Sequence, residues 1–384
     1  MDTISRRKLL KASIAAGSCL TLAGFPSGAG SQGTSQTAGT PGFRYRPLGS
    51  TGWNACEIGF GAMNMRDPEL VRAAFEAGIN YFDTASMYMN GRNEETLGSV
   101  LPKVRDRVFI TTKLANNHPE QTEERLAASL KRLRTDYVDA VLIHSGSAKQ
   151  VKNQQYIDAY GRIQQKGMAR FVGFSAHSGI PDVLDAMTAS GFWQIATVSY
   201  NFNSSQKVTD AIARARAAGI AIVAMKTQNK GRGGAKLASA SMTANQGALR
   251  WVLQNKNIDT TIPGMTSFEH LAEDMKVMTL QLTSDEERDL RHYGATLTAS
   301  SCSGILGCTG CLNQCPNGVQ IHEINRCLGY AYGYHDLRLA RENYENLPAE
   351  SCLEACEQCG TCRVKCVHGL DLDDTIRKAR ALFC

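Results

Sequence analysis

Arg107-Val108-Phe109-Ile110-Thr111-Thr112-Lys113-Leu114, the segment 119–133 behind it, and the segment 137–145 after that read as strand, helix and strand. The first run carries the apolar core Val108-Phe109-Ile110 and closes on a lysine; the last carries Ala140-Val141-Leu142-Ile143 and closes on His144. Runs this short and this apolar suit parallel strands covered on both faces. Between them Leu126, Leu130 and Leu133 fall on one helical stripe, with Glu123, Glu124, Lys131 and Arg132 on the others. Working outward, the same alternation places strands at 57–63, 80–86, 107–114, 137–145, 169–177, 193–201, 221–228 and 259–265. Each strand-helix pair takes roughly 28 residues, the spacing that eight units of a (β/α)8 TIM barrel need. Asp67-Pro68-Glu69 and Ser284-x-x-Glu287 read as helix starts, a cap residue followed by Pro or by a capping-box acid. A doubly wound sheet would place a Gly-rich phosphate turn after its first strand. Gly59-Phe60-Gly61 has no further glycine at the required place, so the α/β barrel is the expected class.

The 384 residues exceed one ordinary domain, so a barrel plus a small module is expected. The net charge is +6, but the first 30 residues hold Arg6, Arg7, Lys8 and Lys11 against the single acid Asp2, so half of that excess is theirs. No basic footprint for nucleic acid is left. Ser5-Arg6-Arg7-Lys8-Leu9-Leu10-Lys11, the short apolar run 12–23 and the small residues after it resemble a twin-arginine export signal, too short to be a stable membrane span. Residues 1–30 are therefore expected to be a signal peptide and 31–42 a flexible linker. That implies a periplasmic or otherwise exported protein.

Charged or titratable residues that close an apolar barrel strand are candidates for chemistry, because active sites of such barrels form at the C-terminal strand ends. Asp83 follows Tyr81-Phe82, Lys113 closes the third strand, His144 closes the fourth, and Tyr88 lies five residues after Asp83. Taken singly, each has a structural reading: a strand-end ion pair, a packed aromatic, a satisfied core histidine. Taken together, with Arg46-Pro47-Leu48-Gly49-x-x-Gly52, Asn80-Tyr81-Phe82-Asp83-Thr84-Ala85, Asn93-Glu94-x-x-Leu97-Gly98, Ile143-His144-Ser145 and Lys166-Gly167 before Gly173-Phe174-Ser175, the chain from 43 to 295 resembles the aldo-keto reductases. The resemblance implies a catalytic tetrad of Asp83, Tyr88, Lys113 and His144. Tyr88 would donate a proton to a carbonyl oxygen. Lys113, held charged by Asp83, would lower the phenol's pKa, and His144 would orient the carbonyl while hydride reaches its carbon. A small carbonyl or sugar-like substrate is implied.

The same resemblance assigns dinucleotide contacts to Ser175, Thr197, Gly264 and Glu273, with departures. The family's Asn after Ser175 is Ala176, followed by His177; the stacking aromatic of the seventh strand falls near Met225 or Lys226. The phosphate-reading cations fall at Gly264 and His270, and Asp274 replaces an Asn. Without those cations a 2′-phosphate finds little to pair with, so NAD(P)(H) is possible while a preference for NADP is doubtful. Gly231-Arg232-Gly233-Gly234 reads as a backbone cover for a pyrophosphate or as a plain surface loop.

Of 13 cysteines, 11 lie from Cys302 onward. Cys356-x-x-Cys359-x-x-Cys362-x-x-x-Cys366 has bacterial ferredoxin spacing, and Cys302-x5-Cys308-x-x-Cys311-x-x-x-Cys315-Pro316 is an irregular copy, with Ile305 at the usual first ligand. The tail, 296–384, resembles an α-helical ferredoxin. Two [4Fe-4S] clusters are implied, one on Cys356, Cys359, Cys362 and Cys315, the other on Cys308, Cys311, Cys366 and Cys302. Zinc or disulfides compete for the same thiols.

The expected activity is thus carbonyl/alcohol redox chemistry coupled to iron-sulfur electron transfer, with an electron-transfer partner of unknown identity. The alternative is an electron-transfer or binding protein whose barrel has lost hydride chemistry.

Overall fold

The computed structural model describes residues 43–384 except 116–117, 178, 229–236, 238–241, 301, 303–310, 312–313, 334–336, 346, 348–351, 360–361 and 367–368. The expected signal and linker, Cys308, and the 231–234 loop lie outside the described residues.

Two short strands, β1 (Tyr45–Pro47) and β2 (Asn54–Cys56), pair antiparallel. Eight parallel strands follow: β3 (Phe60–Gly61), β4 (Tyr81–Asp83), β5 (Phe109–Leu114), β6 (Val138–Ile143), β7 (Ala169–Ala176), β8 (Ile195–Ser199), β9 (Ala221–Met225) and β10 (Thr260–Thr261). They run in sequence order across one sheet, and the parallel bridges Ile58 to Thr261 and Gly61 to Gly264 close β10 onto β3. All eight strand positions read from the sequence are present. Each observed strand is shorter than the segment read from the sequence. The β1/β2 hairpin was not foreseen. It plugs the barrel floor: Leu48 and Trp53 pack with Tyr81, Phe109 and Phe171, whose rings stack from 5.3 to 6.1 Å apart.

Helices alternate with the strands and pack outside them around one continuous core that includes Leu70, Leu97, Leu126, Tyr160, Leu184, Ile212, Leu249 and Leu271. Helix Pro68–Glu76 starts as expected, with Asp67 accepting from the amide of Glu69. The capping box of helix Ser284–Ser300 sits one residue earlier than expected. The hydroxyl of Thr283 donates to Glu286, whose carboxylate also accepts from the Thr283 amide, so Ser284 is already in the first turn.

The tail builds its own small core. Helices Ile321–Gly333, Leu337–Glu345 and Leu372–Phe383 enclose Val319, Ile324, Cys327, Leu328, Tyr344, Cys352 and Ile376. The mainly helical character read from the sequence holds for the described part. Tyr330 of the first of these helices, with Ala340, packs against Met63 just past β3, so the tail sits against the C-terminal end of the barrel. No described helix is long and apolar enough to cross a membrane.

Candidate active site

Alternation along each strand points every second residue into the barrel, so Asp83, Lys113 and His144 share the interior with Tyr81, Phe109 and Leu142 beneath them. Lys113 is 1% exposed and donates to the Asp83 carboxylate and, at 2.9 Å, to the Thr84 carbonyl. Its ammonium is 3.5 Å from the Tyr88 hydroxyl and lies 5.1 Å from that ring's centre. The imidazole of His144 meets the Tyr88 ring edge-on, 5.7 Å between centroids. The four residues nominated from sequence therefore converge at one end of the barrel.

The backbone around them is held in costly conformations. Met89 and Asn90 after Tyr88, Ser145 after His144, and Lys226 after β9 adopt left-handed φ of 51°, 55°, 54° and 57°. Such residues cost about 1–3 kcal/mol each and persist where surrounding contacts over-determine them. Ser145 shows how: its amide donates to the Ser175 hydroxyl at 2.9 Å, locking the turn that presents His144.

Electrostatics correct one expectation. Burial pushes the phenol of Tyr88 up, and the pull of Lys113 does not reverse it. Burial is the larger effect, Lys113 lowers the phenol as expected, and the Asp83 charge adds to burial. Burial pulls the ammonium of Lys113 down, but Asp83 and Tyr88 together raise it, so it stays charged. Burial raises the carboxyl of Asp83 against the pull of Lys113. Burial with the nearby Lys113 and Lys226 pushes His144 down to about 3, and His177, 3.3 Å from the Ser199 hydroxyl, is also lowered by burial and by Lys226. Both imidazoles are neutral at pH 7.

The expected dinucleotide contacts divide. Ser175 is fully buried and engaged by Ser145 and by the Ile143 carbonyl at 3.4 Å, while Ala176 offers no amide. Thr197 is fully buried beside the Tyr81 hydroxyl, one interior layer below Ser199. Gly264 sits at the rim past β10, where an added side chain would enter open space. The Glu273 carboxylate accepts from the Thr243 hydroxyl at 2.6 Å, tying helix Phe268–Lys276 to the start of helix Ala244–Gln254. The amide that the family places after Ser175 is absent, since that residue is Ala176.

Two residues of the tail reach this site and were not anticipated. Arg326, on helix Ile321–Gly333, is paired with Glu323 at 2.6 Å and also donates to the Tyr330 hydroxyl and to Asn343. Its charge pulls the Tyr88 phenol down and pushes Lys226 down. Glu323 and Arg326, three residues apart and so on one face of the helix, were the available signal.

In the tail Cys311, Cys315, Cys356, Cys362 and Cys366 pack against the small core, and Asn317 donates to the Cys359 sulfur at 3.4 Å. Cys302 is partly buried. Cys315 and Cys359 lie near enough to Cys362 to add to the burial that raises its thiol. Among the described residues no group of three or more His, Cys, Asp and Glu side chains is drawn together as a metal site.

Residues 57–233 match the model of the Aldo/keto reductase family. An uncharacterized oxidoreductase, YqkF, of Bacillus subtilis is 31% identical over 150 residues, covering 35% of this chain and 49% of that protein. The methylglyoxal reductase DkgB of Escherichia coli is 28% identical over 246 residues, 60% of this chain and 90% of that protein. The fold of an aldo/keto reductase from Klebsiella pneumoniae, solved in complex with NADP and acetate, superposes with a TM-score of 0.57 at 22% identity, covering 65% of this chain and 94% of that one. The parallel barrel and the four convergent side chains agree with the match of residues 57–233 to the Aldo/keto reductase family.

Proposed function

We propose that the chain interconverts a small carbonyl compound and its alcohol at Tyr88, and that its tail carries single electrons. The observation that carries the first half is the contact series Asp83–Lys113–Tyr88 with His144 at the phenol's edge. A reduced nicotinamide, when bound, supplies a hydride to the carbonyl carbon. As that carbon is reduced its oxygen gains charge and takes the phenol proton of Tyr88, giving the alcohol. The phenolate left behind is stabilised by the ammonium of Lys113, which Asp83 and the Thr84 carbonyl hold in place. Neutral His144 orients the carbonyl without adding a competing charge. In the reverse direction the phenolate accepts the alcohol proton. A carbonyl substrate agrees with the methylglyoxal reductase activity named for the relative from Escherichia coli.

The tail reading rests on the ferredoxin spacing and on the thiols gathered against one small core. Cys315, Cys356, Cys359 and Cys362 would hold one [4Fe-4S] cluster, and Cys311, Cys366, Cys302 and Cys308 the other. Such clusters, when bound, carry one electron at a time. The partner that exchanges those electrons is expected outside the cytoplasm, delivered there by the twin-arginine route, which carries folded proteins.

Anaerobic purification tests both halves at once. Reduction of methylglyoxal by NADH or NADPH, lost in Tyr88→Phe, supports the barrel reading; roughly eight iron and eight sulfide per chain support the tail reading. No turnover with either cofactor overturns the first, and stoichiometric zinc in a colourless protein overturns the second. Export is tested by replacing Arg6 and Arg7 with lysine, which should hold the protein in the cytoplasm.

A further inference from the structure

Two cations at the barrel rim are paired with carboxylates, and a third is not. Lys113 faces Asp83, Arg326 faces Glu323, and Asp274, at the end of helix Phe268–Lys276, is held by Gln228 at 3.0 Å. His144 and His177 are neutral, and Tyr88 is a neutral phenol. Lys226 has no carboxylate within ion-pair distance among the described residues; Glu323 is its nearest acidic influence, and that carboxylate is committed to Arg326. Lys226 is therefore a cation at the rim that no carboxylate pairs among the described residues. An unpaired ammonium that protein partly covers is costly to maintain, and a bound anion that neutralises it is favoured.

Position adds to charge. In the closed strand order β9 stands four strands from β5, directly across the barrel from Lys113. Lys226 leaves β9 with a left-handed φ of 57°, and its carbonyl accepts from Asn201 at 3.1 Å. Its charge adds to the burial that lowers His144 and His177, so it stands near both imidazoles. Glycine is the residue such a turn ordinarily prefers, and a lysine kept there bears strain that packing alone does not explain.

We propose that the site selects short oxo acids, with Lys226 pairing the substrate carboxylate while Tyr88 and His144 take the carbonyl. The proposal rests on the carbonyl-redox reading of the barrel and adds its substrate class. Reaction balance is unchanged. Hydride from the reduced nicotinamide and the Tyr88 proton convert the oxo acid to a hydroxy acid, and the carboxylate is a spectator. Burial first, and the charge of Arg326 from the tail second, lower the ammonium of Lys226 to about 8. Carboxylate binding then weakens as pH rises through about 8, where Lys226 loses its proton.

The test uses the full chain with glyoxylate, pyruvate and 4-oxobutanoate against their methyl esters. A charge-assisted contact predicts a preference in kcat/KM of about tenfold or more for at least one acid over its ester. That preference should collapse in Lys226→Met and return in Lys226→Arg. Equal turnover of every acid and its ester, or a preference that survives Lys226→Met, overturns the proposal. If neither acids, esters nor methylglyoxal are turned over, the carbonyl-redox reading has failed, and calorimetry with the unreactive oxamate still decides the anion site. Binding that weakens about tenfold in Lys226→Met and declines above pH 8 supports it; binding indifferent to both ends it.

Discussion

The ammonium of Lys113 lies 3.5 Å from the phenol oxygen of Tyr88. It donates at the same time to Asp83 and to the Thr84 carbonyl, so its position does not depend on Tyr88. Removing only the phenol oxygen should therefore remove chemistry and spare the fold. Tyr88→Phe is expected to lower kcat for carbonyl reduction by about 10²-fold or more with an unchanged circular dichroism spectrum. Comparable turnover in the variant would remove Tyr88 from the acid role.

Lys113→Met is expected to differ in kind. It strips the partner from a carboxyl that is 3% exposed, so stability as well as rate should fall, by about 3–5 kcal/mol in urea unfolding. Asp83→Asn added to Lys113→Met should restore much of that stability and none of the activity, because the stranded charge is gone while the ammonium is still missing. A Lys113→Met protein as stable as the parent would show that the pair is not held charged.

The pH profile follows from the directions of the shifts. Because burial holds the Tyr88 phenol above its ordinary value, the proton donor stays loaded across neutral and mildly alkaline pH. Reduction of an uncharged carbonyl should show no fall from loss of this proton between about pH 6 and 9. A descending limb centred near pH 7 in the chemical step, read by single-turnover kinetics, would mean that the ion pair beneath Tyr88 is weaker than its geometry implies.

Most of the barrel was legible because a parallel strand covered on both faces must be apolar throughout, and Val108-Phe109-Ile110 and Ala140-Val141-Leu142-Ile143 are. The rim was legible for the complementary reason: Asp83, Lys113 and His144 are polar residues that close apolar runs. The β1/β2 hairpin was not, since three-residue strands around Gly49 and Gly52 carry no period, and their pairing with the barrel floor is a tertiary contact. Ser175 was read as a cofactor contact from resemblance, whereas its hydroxyl is engaged by Ser145 from an adjacent strand end, a contact no single-strand pattern reports. Arg326 lies more than 200 residues from Tyr88 in the chain, on a helix whose own pattern speaks only of the tail core. Its approach to the rim follows from how the tail packs on Met63.

Gly173 on β7 offers a prediction in which two glycines respond with opposite signs. A methyl group at Gly173 would come within 1.8 Å of the Ile195 carbonyl on the neighbouring strand, a backbone atom that cannot rotate away. Relief requires β7 and β8 to separate, and β7 carries the Ser175 hydroxyl that locks the turn after His144. Gly173→Ala should therefore cost about 3 kcal/mol in urea unfolding and also depress kcat, since the His144 turn loosens with the strand. Gly161 in helix Gln154–Gln165 has its nearest neighbour, the Phe192 ring, at 4.0 Å. Gly161→Ala meets no clash and removes backbone freedom from the unfolded chain, so it should stabilise by about 0.5–1 kcal/mol with kcat unchanged. If Gly173→Ala unfolds at the same urea concentration as the parent, β7 and β8 are not packed at the spacing found here, and the argument that fixes Ser175 to the His144 turn fails with it.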